Sequence, residues 1–163
     1  MKKIMQICLL IFCIINSADA KEKKMIWTEE LCDALSAAAL EKSKEMDLDI
    51  SFAIADENGL PRTFRRFGEA LVLSTILVPD KAYTSAITQT ATKDLAKVVK
   101  EGGALFGING TDRRITYVAG GFPLFYQGKI VGAVGIGGGS EAQDCEIGEY
   151  VVKIFNEAVN QKK

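Results

Sequence analysis

The 163-residue chain sets 20 Lys and Arg against 21 Asp and Glu, a net charge of −1. No basic stripe points to nucleic acid, and no acidic tail points to a disordered solvating role. The length suits one domain with a substantial core, and the absence of histidine excludes Ser–His–Asp and Cys–His pairs, a histidine base and histidine metal ligands.

Lys2 and Lys3 precede an apolar run from Ile4 to Ile15. Ser17-Ala18-Asp19-Ala20 then places small residues where an A-x-A cleavage site needs them. This is the layout of a secretory signal peptide, cleaved after Ala20. Residues 1–20 are therefore read as a signal and 25–160 as a single domain. The run is shorter than the ~20 residues of a spanning helix, so no stable membrane insertion is expected after cleavage. The mature protein is expected to be secreted or periplasmic. Bulky Phe12 before Cys13 argues against a lipid anchor at that cysteine. Cleavage leaves Cys32 and Cys145, which either pair across a long loop or stay free as buried thiols.

Thr28 caps a predicted helix over 28–46, with Glu29 and Glu30 at its positive end. "DISFAIAD" (49–56) and "RTFRRF" (62–67) read as strands joined through the hairpin dipeptide Asn58-Gly59. From Glu69 to Glu101 the pattern is helical. Pro79 is expected to end or kink the first segment, and Thr90 or Thr92 to cap a second that stops at Gly102-Gly103. "ALFGI" (104–108) and a turn at Asn109-Gly110-Thr111 lead to a predicted strand "RITYVAGG" (114–121). "FPLFYQGKIVGAVGIGG" reads as a hairpin turning at Gln127-Gly128. Ser140 and Gln143 have capping-box spacing, and Ile147, Val151, Ile154, Phe155, Ala158 and Val159 give the last helix an apolar face. The order α-β-β-α-α-β-β-β-α predicts an α+β fold, a mostly antiparallel five-stranded sheet with flanking helices.

"VGAVGIGGGS" (131–140) invites comparison with phosphate-binding loops and fails each test. A P-loop would need lysine at Gly138, a dinucleotide fingerprint would need glycine at Ser140, and a nucleophile elbow needs a serine between glycines. Two meanings remain open. Gly137, Gly138 and Gly139 before a helix starting at Ser140 could offer bare amides to a carboxylate or other anion. Alternatively they permit close packing where strand meets helix.

The ordered segments "DKAYT" (80–84), "EGGALFGI" (101–108), "GGFPLFYQGKIVGAVGIGGG" (120–139) and "EAQD" (141–144) resemble the GlcG/HbpS family over roughly residues 25–160. That family also includes the C-terminal domain of PduO-type cobalamin adenosyltransferases. The resemblance implies a profilin-like fold, a homo-oligomer, often an octamer, and a tetrapyrrole ligand: haem first, cobalamin second. The signal peptide fits the exported haem-binding branch. Some relatives hold the metal through a histidine, which this chain lacks, so an axial ligand would come from Tyr83, Tyr117, Tyr126, Met46 or a cysteine. Haem propionates would meet Lys81, Arg65 or Arg66, and only one of the two arginines can face a given pocket. Lys81 could instead be salt-bridged to Asp80 or Asp144. Tyr83 and Thr84 accompany Lys81 in the "DKAYT" run, and Gly120, Gly121 and Pro123 are expected to wall a cleft with the glycine stretch. The expected function is an exported, oligomeric haem-binding protein without clear catalytic machinery. The alternatives are a corrinoid-binding domain, or an accessory protein or enzyme gripping a small carboxylate through Lys81 and Ser140.

Overall fold

The computed structural model describes residues 26–160; the signal-peptide expectation lies outside them. In chain order the elements are α1 (Glu29–Glu45), β1 (Ser51–Asp56), β2 (Pro61–Arg66), α2 (Ser74–Thr88), α3 (Thr92–Val99), a short 3-10 turn (Ile108–Gly110), β3 (Gly121–Tyr126), β4 (Lys129–Gly137) and α4 (Glu141–Asn160). The class is α+β as expected, and all strand pairs are antiparallel, in the order β2-β1-β4-β3. The sheet has four strands rather than five.

The missing strand is the stretch from 114 to 120. Its backbone groups are taken by side chains instead of a ladder. Thr84 Oγ1 donates to the Arg114 carbonyl and accepts from the Thr116 amide, while the Asp112 carboxylate accepts from the Arg114 amide. Such side-chain bonds compete directly with sheet pairing.

Two layers cover the sheet. Even-numbered residues of β1 and β4, among them Phe52, Ile54, Val134 and Ile136, join Leu35, Ile147, Val151 and Phe155 in the main core beneath α1 and α4. Trp27 closes this layer: its indole donates to the Val131 carbonyl at 2.6 Å and its ring stacks on Phe155. On the opposite face the contact is built from small residues. Ala53, Ala55 and Ala133 meet Val78, Ala82 and Ala86 of α2. A Cβ on Gly135 would stand 2.3 Å from the Val78 carbonyl oxygen, so only glycine lets the α2 backbone lie this close to β4.

That close seat explains Pro79. Of the two outcomes the sequence allows for Pro79, an end or a kink, the end does not occur: α2 runs through it from Ser74 to Thr88. An interior proline costs about 3 kcal/mol or more, and burial of Val78 and Ala82 on either side, with Ala86 one turn on, opposes that cost. Neither Thr90 nor Thr92 caps α3; Ala91 holds the cap position, and Thr92 accepts a hydrogen bond from the Gly121 amide. Other local signals are realised. Thr28 caps α1, and Gln127 and Gly128 both adopt positive φ in the β3–β4 turn. Cys32 and Cys145 are free thiols, so the pairing left open by the sequence does not form.

Candidate functional site

The C-terminal end of β4, the start of α4 and the first half of α2 enclose a cavity of about 130 Å³. Gly137, Gly138 and Gly139 line one side. Leu71, Leu73, Leu77 and Val118 supply apolar wall, and Ser74, Lys81, Glu141 and Asp144 the polar part. A larger open depression on the outer face of α4, lined by Glu149, Lys153, Asn156 and Glu157 among others, holds none of the predicted residues.

Lys81 is 1 % exposed. Its ammonium donates to Asp144 Oδ2 at 2.8 Å and to the Ile136 carbonyl at 2.7 Å. Of the two partners open to it in sequence, Asp144 is the one it takes; Asp80 instead meets Arg114. Burial pushes the Asp144 carboxyl above its ordinary range, opposed by the Lys81 charge and the Gly139 amide. The pair ties the middle of α2 to the first turns of α4 and to the end of β4.

The expected seat for an anion is largely filled from within. The Gly139 amide donates to Asp144 Oδ1 at 3.1 Å and the Ser140 amide to Gln143 Oε1 at 2.9 Å. Gln143 thus completes the capping box with Ser140, whose own oxygen accepts from the Gln143 amide. The expectation of bare amides is corrected on this point. Ser140 is exposed and contributes no wall to the cavity. Counting Lys81, Asp144 and Glu141, the ionised cavity has one negative charge in excess, which repels a free carboxylate.

The two arginines part as the strand alternation requires. Arg65 faces α1 and pairs with Asp33. Arg66 pairs across the strands with Ser51, whose hydroxyl bonds Ser74 Oγ in the cavity wall. Its Nε donates to the Ala70 carbonyl at 2.7 Å, and its guanidinium lies 3.8 Å from Glu69 Oε2.

Gly120 lies against the lysine: a Cβ there would stand 2.9 Å from Lys81 Nζ and 2.6 Å from the Ile136 carbonyl. Gly121 pairs with Gly135, so this segment and the glycine stretch do adjoin, although Val118 rather than either glycine reaches the cavity. Pro123 lies further along β3 opposite Ala133, away from the cavity.

Tyr83 and Thr84 turn from Lys81 toward the 111–118 segment. The Tyr83 hydroxyl donates to Asp112 at 2.5 Å, with the Arg114 guanidinium 3.7 Å over its ring. That hydrogen bond raises the Tyr83 phenol and lowers the Asp112 carboxyl. Met46 and Tyr126 pack against the main core, and Tyr117 is exposed beside Val118. None of these four metal-ligand candidates lines the cavity. Among the described residues no cluster of His, Cys, Asp and Glu is arranged to hold a metal ion, and no helix is long and apolar enough to cross a membrane.

The feature unmarked in the sequence is the apolar shelf at the cavity mouth. Leu71, Val72, Leu73 and Ile76 are 66–74 % exposed and nearly contiguous. Their one signal is composition: three successive apolar residues cannot all turn inward from a helix start.

Residues 27–153 match the family model described as haem degrading protein HbpS-like, and the chain belongs to that family. It is 30 % identical over 148 residues to the corrinoid adenosyltransferase PduO of Citrobacter freundii, covering 90 % of this chain and 44 % of that protein. The chain thus spans under half the length of this relative. It is 29 % identical over 113 residues to protein GlcG of Escherichia coli K12, covering 69 % of this chain and 82 % of GlcG. The crystal structure of a PduOC–haem complex superposes with a TM-score of 0.75 at 30 % identity, covering 78 % of this chain and 93 % of that one.

Proposed function

We propose that this protein binds haem, as an exported homo-oligomer, on the apolar shelf that fronts the glycine-lined cavity. The observation that carries the reading is the shelf itself: exposed Leu71, Val72, Leu73 and Ile76 beside a cavity walled by Leu77 and Val118. An exposed apolar patch of this kind marks a binding surface. A porphyrin is a large apolar disc with carboxylates at one edge, and the relative of known structure at 30 % identity was solved with haem.

The residues fit the ring. The cavity volume of about 130 Å³ is well under the ~300–1,000 Å³ of a pocket that encloses a drug-sized ligand. Leu71, Leu73, Leu77 and Val118 would therefore hold an edge of the macrocycle and the shelf its face. Arg66, partly exposed and 3.8 Å from the Glu69 carboxylate, is the cation left to meet a propionate; Lys81 is committed to Asp144. Haem, when bound, supplies the redox and gas-binding chemistry of its iron. The chain supplies an apolar surface, excludes water from the buried edge, and holds the carboxylate outside the cavity.

Two features support the rest of the reading. Export rests on the N-terminal layout of residues 1–20. Self-association is supported by the end strands β2 and β3 of the sheet and by exposed Leu105 and Phe106 in the 100–111 segment. Titration of the mature protein with haemin, followed by gel filtration, tests the reading. A saturable Soret band co-eluting with an oligomer is expected, and no spectral change at micromolar haemin sinks it.

A further inference from the structure

We infer that this chain recognises the tetrapyrrole ring and that its described residues give the metal no axial ligand, so that metal-free and metal-bearing porphyrins bind alike. The inference rests on the tetrapyrrole reading above and adds to it a statement about selectivity.

Haem iron is held in proteins by imidazole, thiolate, thioether or phenolate. Imidazole is absent from the whole sequence. Each other donor type among the described residues is placed away from the cavity or already engaged. Cys32, on α1, is buried in the main core, and Cys145 is half-buried against that core; burial raises both thiols, away from the thiolate a metal needs. Met46 packs against that same core, on the far side of the sheet from α2.

The phenols divide similarly. Tyr83 donates to Asp112 beneath Arg114. Tyr126 pairs with Lys129, at the opposite end of β4 from Gly137, roughly 27 Å along a strand rising about 3.4 Å per residue. Tyr150, halfway along α4, lines no part of the cavity. Tyr117 is the phenol nearest in sequence to a cavity residue, and the cavity takes its neighbour Val118 instead. Of the cavity carboxylates, Asp144 is spent on Lys81 and the Gly139 amide. Glu141 stands exposed at the start of α4, where the positive end of the helix favours its charge.

The apolar walls have no means of sensing a metal at the ring centre. They respond to area and shape, which haemin and its metal-free analogue share. Selectivity then lies in the ring and its carboxylates.

The test titrates the mature protein with haemin, metal-free protoporphyrin IX and zinc protoporphyrin IX, reading absorbance and porphyrin fluorescence. The three dissociation constants are expected to agree within about threefold, less than the tenfold that ~1.4 kcal/mol represents. Tyr117→Phe and Glu141→Gln are expected to leave the haemin Soret band where it is in the unaltered protein. Haemin binding more than about tenfold tighter than the metal-free ring, or a band shifted by either substitution, overturns the inference and leaves the tetrapyrrole reading standing. Failure of all three porphyrins to bind removes both.

Discussion

Lys81 Nζ lies 2.8 Å from Asp144 Oδ2 with both side chains withdrawn from water, although the two residues are 63 positions apart. This bond, with the Ile136 carbonyl as the second acceptor, joins α2, α4 and the end of β4 around one buried charge pair. It also explains why a lysine beside a glycine-rich joint is not a free anion grip.

Removing one member should be costly. Lys81→Met leaves Asp144 buried without its cation, and a loss of about 3–5 kcal/mol is expected at neutral pH. Because burial raises the folded-state pKa of Asp144, the folded protein holds that proton better than the unfolded chain. The deficit should therefore shrink as pH falls toward that raised value and grow as pH rises. Urea unfolding at about pH 5 and about pH 8 checks the sign. Lys81→Met combined with Asp144→Leu should recover most of the loss, since paired apolar replacements remove the uncompensated charge.

The glycines of β4 should prove structural. Gly135→Ala drives a Cβ into the Val78 carbonyl and the Ala82 amide, where backbone must move, so a loss of about 1–3 kcal/mol or more is expected. Gly110→Ala meets nothing within 4 Å and should change stability by no more than about 0.5 kcal/mol. Thermal melts of the two variants give the comparison directly.

The Tyr83–Asp112 bond should carry a bell-shaped pH dependence. Asp112 is lowered by the bond, so its contribution is present above the ordinary carboxylate range and lost as pH falls below it. Tyr83 is raised, so its contribution holds at neutral pH and is lost as pH climbs through the raised phenol. Tyr83→Phe should therefore destabilise the protein at mid pH and match the parent at both extremes. A constant difference at all pH values would show that the lost hydroxyl acts through packing alone.

What the sequence revealed and what it concealed divide by range. The Thr28 cap, the Gln127-Gly128 turn and the Ser140–Gln143 box depend on neighbours within a few residues, and each was legible. The region from 114 to 120 read as a strand because its alternation is local, whereas Thr84, which satisfies its backbone, lies about 30 residues earlier. Pro79 fails to end the helix for a similar reason: the Ala53, Ala133 and Gly135 surface that seats α2 on the sheet comes from distant segments. The glycine stretch was correctly placed as a strand-to-helix joint. The Gly139 amide there is not open, because Asp144 reaches back to it in a bond that capping spacing alone does not signal. The Leu71–Leu73 shelf blended into a helical pattern whose exposure only tertiary structure decides.

The strand alternation that parts the two arginines predicts different roles in ligand binding. Arg66→Gln should weaken haemin several-fold, as expected for loss of one partly solvated charge contact, and should leave haemin dimethyl ester unaffected. Arg65→Gln, on the face of Asp33, should bind both as the parent does. Equal effects of the two substitutions would place the carboxylates elsewhere.

The most direct measurement is the haemin affinity of Leu73→Asp beside that of the unaltered protein. Leu73 is mostly exposed, so a charge there should leave the melting temperature nearly unchanged while breaking the shelf. A drop in haemin affinity of about tenfold or more, with folding intact, is the expected result. Unchanged haemin affinity in Leu73→Asp would contradict the placement of the ligand on this surface.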